Sequence, residues 1–165
     1  MNVVAPRLIT DRLVLEEIAE KDTEFIVAWR SNPDVYRFFL SPHPLSAKEH
    51  KDWFYNRYIW DMNRLDWVAF RKDNREAVGI FGVRRQEEGS VEAEISYLLA
   101  PKEYGKGYAR EAVNCIMGFA SESWHCNSCI SEIHMDNHAS AEFAVRLGFV
   151  ASDTNGAFVR YKREL

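Results

Sequence analysis

What this 165-residue chain lacks narrows its possible roles before any motif is read. It has no apolar run near the roughly 18–20 residues of a membrane-spanning helix, and its start carries no apolar signal core. The expected setting is therefore cytoplasmic, with no membrane partner. It has no basic excess either: 21 Lys and Arg against 25 Asp and Glu leave a net charge of −4, which disfavours a nucleic-acid partner. No internal repeat, low-complexity tract or glycine–serine linker interrupts it, so a single domain over residues 1–165 is expected. Its three cysteines, Cys115, Cys126 and Cys129, are an odd count that suits a reducing compartment better than a disulfide framework. Cys126, Cys129, His125 and His134 lack a second ligand pair at zinc spacing, so no metal is expected. What is present is core material. A content of 47% hydrophobic and 13% aromatic residues excludes a disordered chain.

Read in order, residues 7–18 form a first strand rich in β-formers. Asp22 can cap a helix carrying Phe25, Ile26, Ala28 and Trp29, ended by Pro33. The aromatic, two-proline segment Tyr36–Pro44 reads as a loop. Ser46 and Glu49 form a capping box for a helix that carries His50, Trp53, Phe54 and Arg57 and reaches about Met62. Trp67–Lys72 and Ala77–Arg85 form a hairpin. Glu92–Ala100 alternates, with Ala93, Ile95, Tyr97 and Leu99 on one face and Glu94, Ser96 and Leu98 on the other. Ala109, Ala112, Val113, Ile116, Met117 and Ala120 then recur on a single helical face. A strand over Cys129–Met135, a short helix over Ser140–Leu147 and two strands over Phe149–Ser152 and Ala157–Arg163 complete the order. The fold class is α/β (α+β): a mixed, mostly antiparallel sheet flanked by helices, with one parallel crossover joining 92–100 to 129–135.

Between that crossover's first strand and its helix lies Lys102-Glu103-Tyr104-Gly105-Lys106-Gly107-Tyr108-Ala109. Glycines allow close approach of the backbone to a ligand, and the N–H groups of a helix start point at an anion. Read alone, the stretch is either a site for a pyrophosphate or a strand-to-helix turn with solvated lysines. No Gly-Lys-Ser/Thr follows, which argues against a P-loop hydrolase.

Lys102 to Gly107 resembles the pyrophosphate loop of the GNAT-superfamily N-acetyltransferases, usually Arg/Gln-x-x-Gly-x-Gly/Ala, with lysine at the first position. Asp136-Asn137-His138-Ala139-Ser140 and Arg146-Leu147-Gly148-Phe149 resemble a second signature, found in the branch that includes ribosomal-protein alanine acetyltransferases. The resemblance covers nearly the whole chain. It implies an acetyl-CoA donor whose pantetheine arm enters a splay between the strands at 92–100 and 129–135. Main-chain groups of Tyr97, Leu98 and Leu99 would line the arm. Amides from Tyr104 to Ala109 would receive the pyrophosphate, with Gly105, Gly107 and Tyr108 in the loop and Lys102 or Lys106 sharing its charge. Asn137 would bond the arm, where the alternative is that it orders the turn.

The reaction the resemblance implies is direct attack of a neutral amine on the thioester, assisted by a backbone N–H of Leu98 or Leu99. Glu94 is the candidate base, with Glu92 and His134 as rivals. Many members carry a tyrosine acid seven residues after the asparagine, but Ala144 stands there, and Ser140 is the substitute as acid or thiol-orienting group; the plain reading of Ser140 is a helix cap. Acceptor choice falls to Tyr36–Arg57, where Phe38, Phe39, His43, His50, Trp53 and Phe54 form either an aromatic wall for a sugar or nucleotide or part of the core, the latter favoured for Trp53 and Phe54. The expected acceptor is a small amine, an amino sugar among them, or a protein N-terminus. Exposed aromatics are compatible with a homodimer. The rival class is a non-catalytic acyl-CoA-binding module.

Overall fold

The computed structural model describes residues 4–165. An eight-stranded sheet runs in the order β1 (Leu8–Ile9), β2 (Leu13–Glu17), β3 (Arg64–Arg71), β4 (Ala77–Arg85), β5 (Glu92–Leu99), β6 (Ser128–His134), β8 (Phe158–Glu164), β7 (Val150–Asn155). Every neighbouring pair is antiparallel except β5 and β6. The parallel pair is joined by α4 (Tyr108–Trp124), as the crossover pattern requires.

Two apolar layers cover the two faces. On one, α4 and α5 (His138–Arg146) bury Ala112, Val113, Ile116, Met117, Ala120 and Ala144 against Leu15, Trp67, Phe81 and Ile95. On the other, α1 (Thr23–Arg30) and α3 (Ala47–Asn56) pack Ile26, Trp53 and Phe54 against Ile18, Val68 and Ile80. Trp53 and Phe54 are thus packing residues. The all-apolar stripe of α4 explains why that helix was legible. It starts behind Gly107 at φ 82° and stops at His125 at φ 56°, both in the left-handed region.

The first strand is split where a continuous one was expected. Residues 10–12 make a tight turn between β1 and β2, because the Thr10 hydroxyl accepts the Leu13 N–H at 3.0 Å and, with the Arg12 amide, donates to the Glu111 carboxylate on α4. Pro33 differs as well. Helix α1 ends at Arg30, and Pro33 opens a short α2 (Pro33–Tyr36) whose N-cap, Asn32, accepts the Asp34 N–H at 3.0 Å.

Candidate active site

The parallel pair separates partway along its length. Ladder partners run from Glu92 and Ser128 to Glu94 and Ile130 and then stop, while β5 stays paired with β4 as far as Leu99 and β6 stays paired with β8 as far as His134. Peptide groups alternate sides along a strand. The Ala100 N–H donates to Val78 on the β4 side, so Leu98 faces β4 as well, while Tyr97 and Leu99 turn theirs into the gap. Of the two backbone donors expected from the sequence, the gap is therefore offered Leu99.

The loop at the end of β5 has two glycines in the left-handed region, Gly105 at 75° and Gly107 at 82°. Gly107 is the N-cap of α4 and offers no side-chain cap, so the first-turn amides of Tyr108 and Ala109 have no protein acceptor among the described residues. Open amides on a 17-residue helix beside a strand gap suit a pyrophosphate followed by an extended arm. Both loop lysines are already ion-paired: Lys102 Nζ lies 3.3 Å from Glu76 Oε2 and Lys106 Nζ 3.0 Å from Glu103 Oε2, where Glu103 is 1% exposed. With both lysine charges offset, the open amides are the groups left to receive an anion here. A helix dipole alone contributes about 0.3–1 kcal/mol at an exposed site.

Arg12 is a loop residue that sequence reasoning missed. Its guanidinium donates to the Lys106 carbonyl at 2.9 Å and to Glu111 at 2.7 Å, and it lies over the Tyr108 ring at 4.5 Å. It reaches the loop only through the turn that splits the first strand, so no local pattern announces it.

On α5, Asn137 is the N-cap: its side chain accepts the Ser140 N–H at 3.2 Å. The capping role considered for Ser140 thus belongs to Asn137. The Ser140 hydroxyl instead lies 2.7 Å from the Tyr97 hydroxyl. His134, at the end of β6, accepts the Asp136 N–H on Nδ1 at 3.2 Å. That contact occupies the Nδ1 lone pair, so Nδ1 is not open toward the gap.

On the opposite face, Glu94 is half-buried and in no ion pair among the described residues, whereas its rival Glu92 holds Lys162 at 2.9 Å. A charged cluster lies on the same face. Asp66 on β3 is 3% exposed and binds Arg64 Nε at 2.8 Å; its carboxylate lies over β4 at Gly82, where any Cβ would collide with it. Burial pushes the Asp66 carboxyl above the usual carboxylate range, against the opposing pull of Arg64 and Arg30. A lone aspartate in the apolar run Leu65–Ala69 was the available signal for it.

Phe39, His43 and His50 do not converge. Phe39 lies under the Arg30 guanidinium at 4.9 Å, and His43 is exposed with Nδ1 2.8 Å from the Pro44 carbonyl oxygen. His50 is 2% exposed, bonded through Nδ1 to the Thr23 hydroxyl at 3.1 Å, and its Nε2 has no partner. Phe38 is the loop ring that reaches the gap, 5.8 Å from the His134 ring, with the Arg37 guanidinium above it at 4.6 Å. The cysteines stand apart from this chemistry. All three are free, and burial pushes the Cys129 thiol up to about 12.

The acetyltransferase (GNAT) domain family matches residues 12–150. An uncharacterized N-acetyltransferase of Bacillus subtilis strain 168, YoaA, is 25% identical over 146 residues, covering 87% of this chain and 82% of its own. The [ribosomal protein uS5]-alanine N-acetyltransferase of Escherichia coli K12 is 27% identical over 161 residues, covering 90% and 80%. Among solved structures, a domain from Methanocaldococcus jannaschii superposes with a TM-score of 0.82 at 26% identity, covering 94% of this chain and all of that one. With a family match that spans the donor loop, the splayed strands and α5, the chain belongs to the GNAT acetyltransferase family and is an acetyl-CoA-dependent N-acetyltransferase.

Proposed function

We infer that the acceptor is a small amine bearing an anionic or hydroxyl-rich body, of the amino-sugar class, and that Glu94 and Ser140 serve the transfer from opposite faces of the splay. The observation that carries the acceptor class is the pair of cation–ring contacts between the end of α1 and the segment that follows α2. Arg30 lies over Phe39 and Arg37 over Phe38, and Phe38 meets His134 at the mouth of the gap. Arginines and rings suit phosphate and a stacked base or sugar, and they oppose a polycation such as a polyamine.

Acetyl-CoA, when bound, supplies an activated thioester carbonyl. The amides of Tyr108 and Ala109 hold its pyrophosphate, with Gly105 and Gly107 allowing the approach, and Tyr97 and Leu99 present peptide groups to its arm. Leu98 contributes its side chain on the Glu94 face. Lys102, Lys106 and Tyr104 border the loop, and the Asn137 side-chain N–H₂ remains available beside its cap. Glu94 accepts the proton that the attacking amine gives up, Leu99 donates its N–H to the carbonyl oxygen, and Ser140 faces the departing sulfur. An acceptor amine near pKa 7.7–8 needs only about 1 kcal/mol to be neutral at pH 7, against about 4–5 for a lysine-like amine. A single carboxylate is adequate for the former.

The second reading is a protein N-terminus, favoured by the relative that acetylates the alanine of ribosomal protein uS5. Thiol release from acetyl-CoA, measured against nucleotide-linked amino sugars, free amino sugars, polyamines and N-terminal peptides, separates the two. Turnover confined to peptides would overturn the amino-sugar assignment. Loss of every turnover with intact CoA binding would overturn catalysis in favour of a binding module.

A further inference from the structure

Helix α5 lacks a hydroxyl ring of its own. At the position seven residues after Asn137 stands Ala144, 2% exposed and packed into the core. A phenol nevertheless reaches this helix from β5. The Tyr97 hydroxyl lies 2.7 Å from Ser140 Oγ and 3.4 Å from the Ser140 carbonyl oxygen, and its ring is held edge-on by Phe143 at 5.0 Å. The same residue turns its peptide group into the strand gap. Tyr97 therefore spans the splay and the helix at once, and it is the one hydrogen-bond partner of the Ser140 hydroxyl among the described residues.

We propose that Tyr97 is a positioning residue that donates to Ser140 Oγ and so leaves the serine hydrogen to be presented to the sulfur of the bound donor. The proposal rests on the reading of Ser140 as the group facing that sulfur. Distance alone lets either hydroxyl donate in the 2.7 Å contact; the phenol is assigned the donor's part because, with an ordinary pKa of about 10, it is the more acidic O–H. O–H···O bonds run at about 2.5–3.0 Å, so the phenol has a good acceptor in Oγ and a poor one in the carbonyl at 3.4 Å. A serine hydroxyl has one hydrogen and two lone pairs. Once one lone pair receives the phenol, the hydrogen is left for another acceptor. Burial pushes the Tyr97 phenol up, so it stays a donor and does not itself surrender a proton.

The electron count closes without a proton passing through the pair. The C–N bond forms, the C–S bond breaks with its electrons collecting on sulfur, and the amine proton goes to Glu94. Ser140 contributes a hydrogen bond to the sulfur, and water protonates the thiolate after release.

The test needs no acceptor: the thiol of bound CoA is titrated by thiolate absorbance in the unaltered enzyme, Tyr97→Phe, Ser140→Ala, the double variant and Ser140→Thr. Ser140→Ala should raise the bound thiol pKa by about one unit, a tenfold loss of preference for thiolate. Tyr97→Phe should raise it by about half a unit to one unit, the double variant no further than Ser140→Ala, and Ser140→Thr should retain the original titration. Desulfo-CoA affinity should stay within about twofold in all five proteins, and the small Tm loss from deleting the Tyr97–Ser140 bond should be alike in Tyr97→Phe and Ser140→Ala, which separates positioning from a fold defect. If Ser140→Ala leaves the titration in place, the reading of Ser140 fails. If Ser140→Ala moves it and Tyr97→Phe does not, or the two shifts simply add, the role of Tyr97 fails and that of Ser140 stands.

Discussion

On the proposed reading, the donor side and the acceptor side of this site are built by different means. The donor side uses backbone: peptide groups of Tyr97 and Leu99, open amides of Tyr108 and Ala109, and two glycines at positive φ, all within the continuous stretch from β5 to α4. The acceptor side uses side chains delivered from far apart in sequence, with Arg30 from the end of α1, Phe38 from the segment after α2, Glu94 from β5 and His134 from β6. A backbone site tolerates sequence drift outside its glycines. A side-chain site can be rewritten one residue at a time while the donor loop stays intact, which is how one fold serves several acceptors.

The largest effect expected is on chemistry at the meeting point of the two sides. Glu94→Gln should lower kcat by about 100-fold near pH 7 while the Kd for CoA stays within twofold, and the loss should shrink as pH rises and more amine is neutral. A kcat unchanged across the pH range would transfer the base to water or another group. Next comes the donor side alone. Gly107→Ala places a Cβ 3.3 Å from the Arg12 guanidinium and forces a side chain into the left-handed region, at a cost of about 1–2 kcal/mol. The Kd for CoA should weaken about 5- to 30-fold, with the KM of the acceptor unaffected; equal weakening of both would mean that the two sides are not separable. Arg12→Gln should move the same constant in the same direction by less, because the loop glycines and amides remain.

On the acceptor side, Arg37→Ala removes an exposed cation–π contact of about 0.5–1 kcal/mol and should raise the acceptor KM about two- to fivefold without touching CoA binding. The smallest effect concerns stability. Burial, aided by Arg30, holds the His50 imidazole below its ordinary value. Its contribution is therefore fully present above the unfolded value near 6.5 and is lost as pH falls through the lower folded value. Tm should drop over that acid range in the unaltered protein and drop less in His50→Gln; parallel curves would place the acid sensitivity elsewhere, with Asp22 and Glu17 the next groups to examine.

The elements easiest to read were those whose evidence is local. The stripe from Ala109 to Ala120, the Ser46–Glu49 box and the alternation of Glu92–Leu99 each occupy one short window, and each became the expected helix, cap or strand. The break at Thr10–Arg12 was illegible because its cause, Glu111, lies about a hundred residues away. His50 illustrates the same limit: helical spacing placed it on a face, and only the Thr23 hydroxyl across on α1 made that face an interior one. Ser140 was legible as a residue of interest through the Asn137 motif, but its partner Tyr97 was noticed for its main chain, since nothing in a strand's alternation says which helix its ring will meet.

By itself, the sequence determined the order of elements apart from the split first strand and α2, together with the parallel crossover and the two-glycine turn into α4, because hydrophobic period, capping residues and glycine freedom act over a few residues and need no partner elsewhere. Tertiary structure alone decided that β5 and β6 separate after Glu94 and Ile130, that Leu99 and Tyr97 rather than Leu98 turn their peptide groups into the gap, and that a tyrosine from a strand meets a serine on a helix. Those outcomes depend on strand register and on distances between segments distant in sequence, quantities that exist only once the chain has closed on itself.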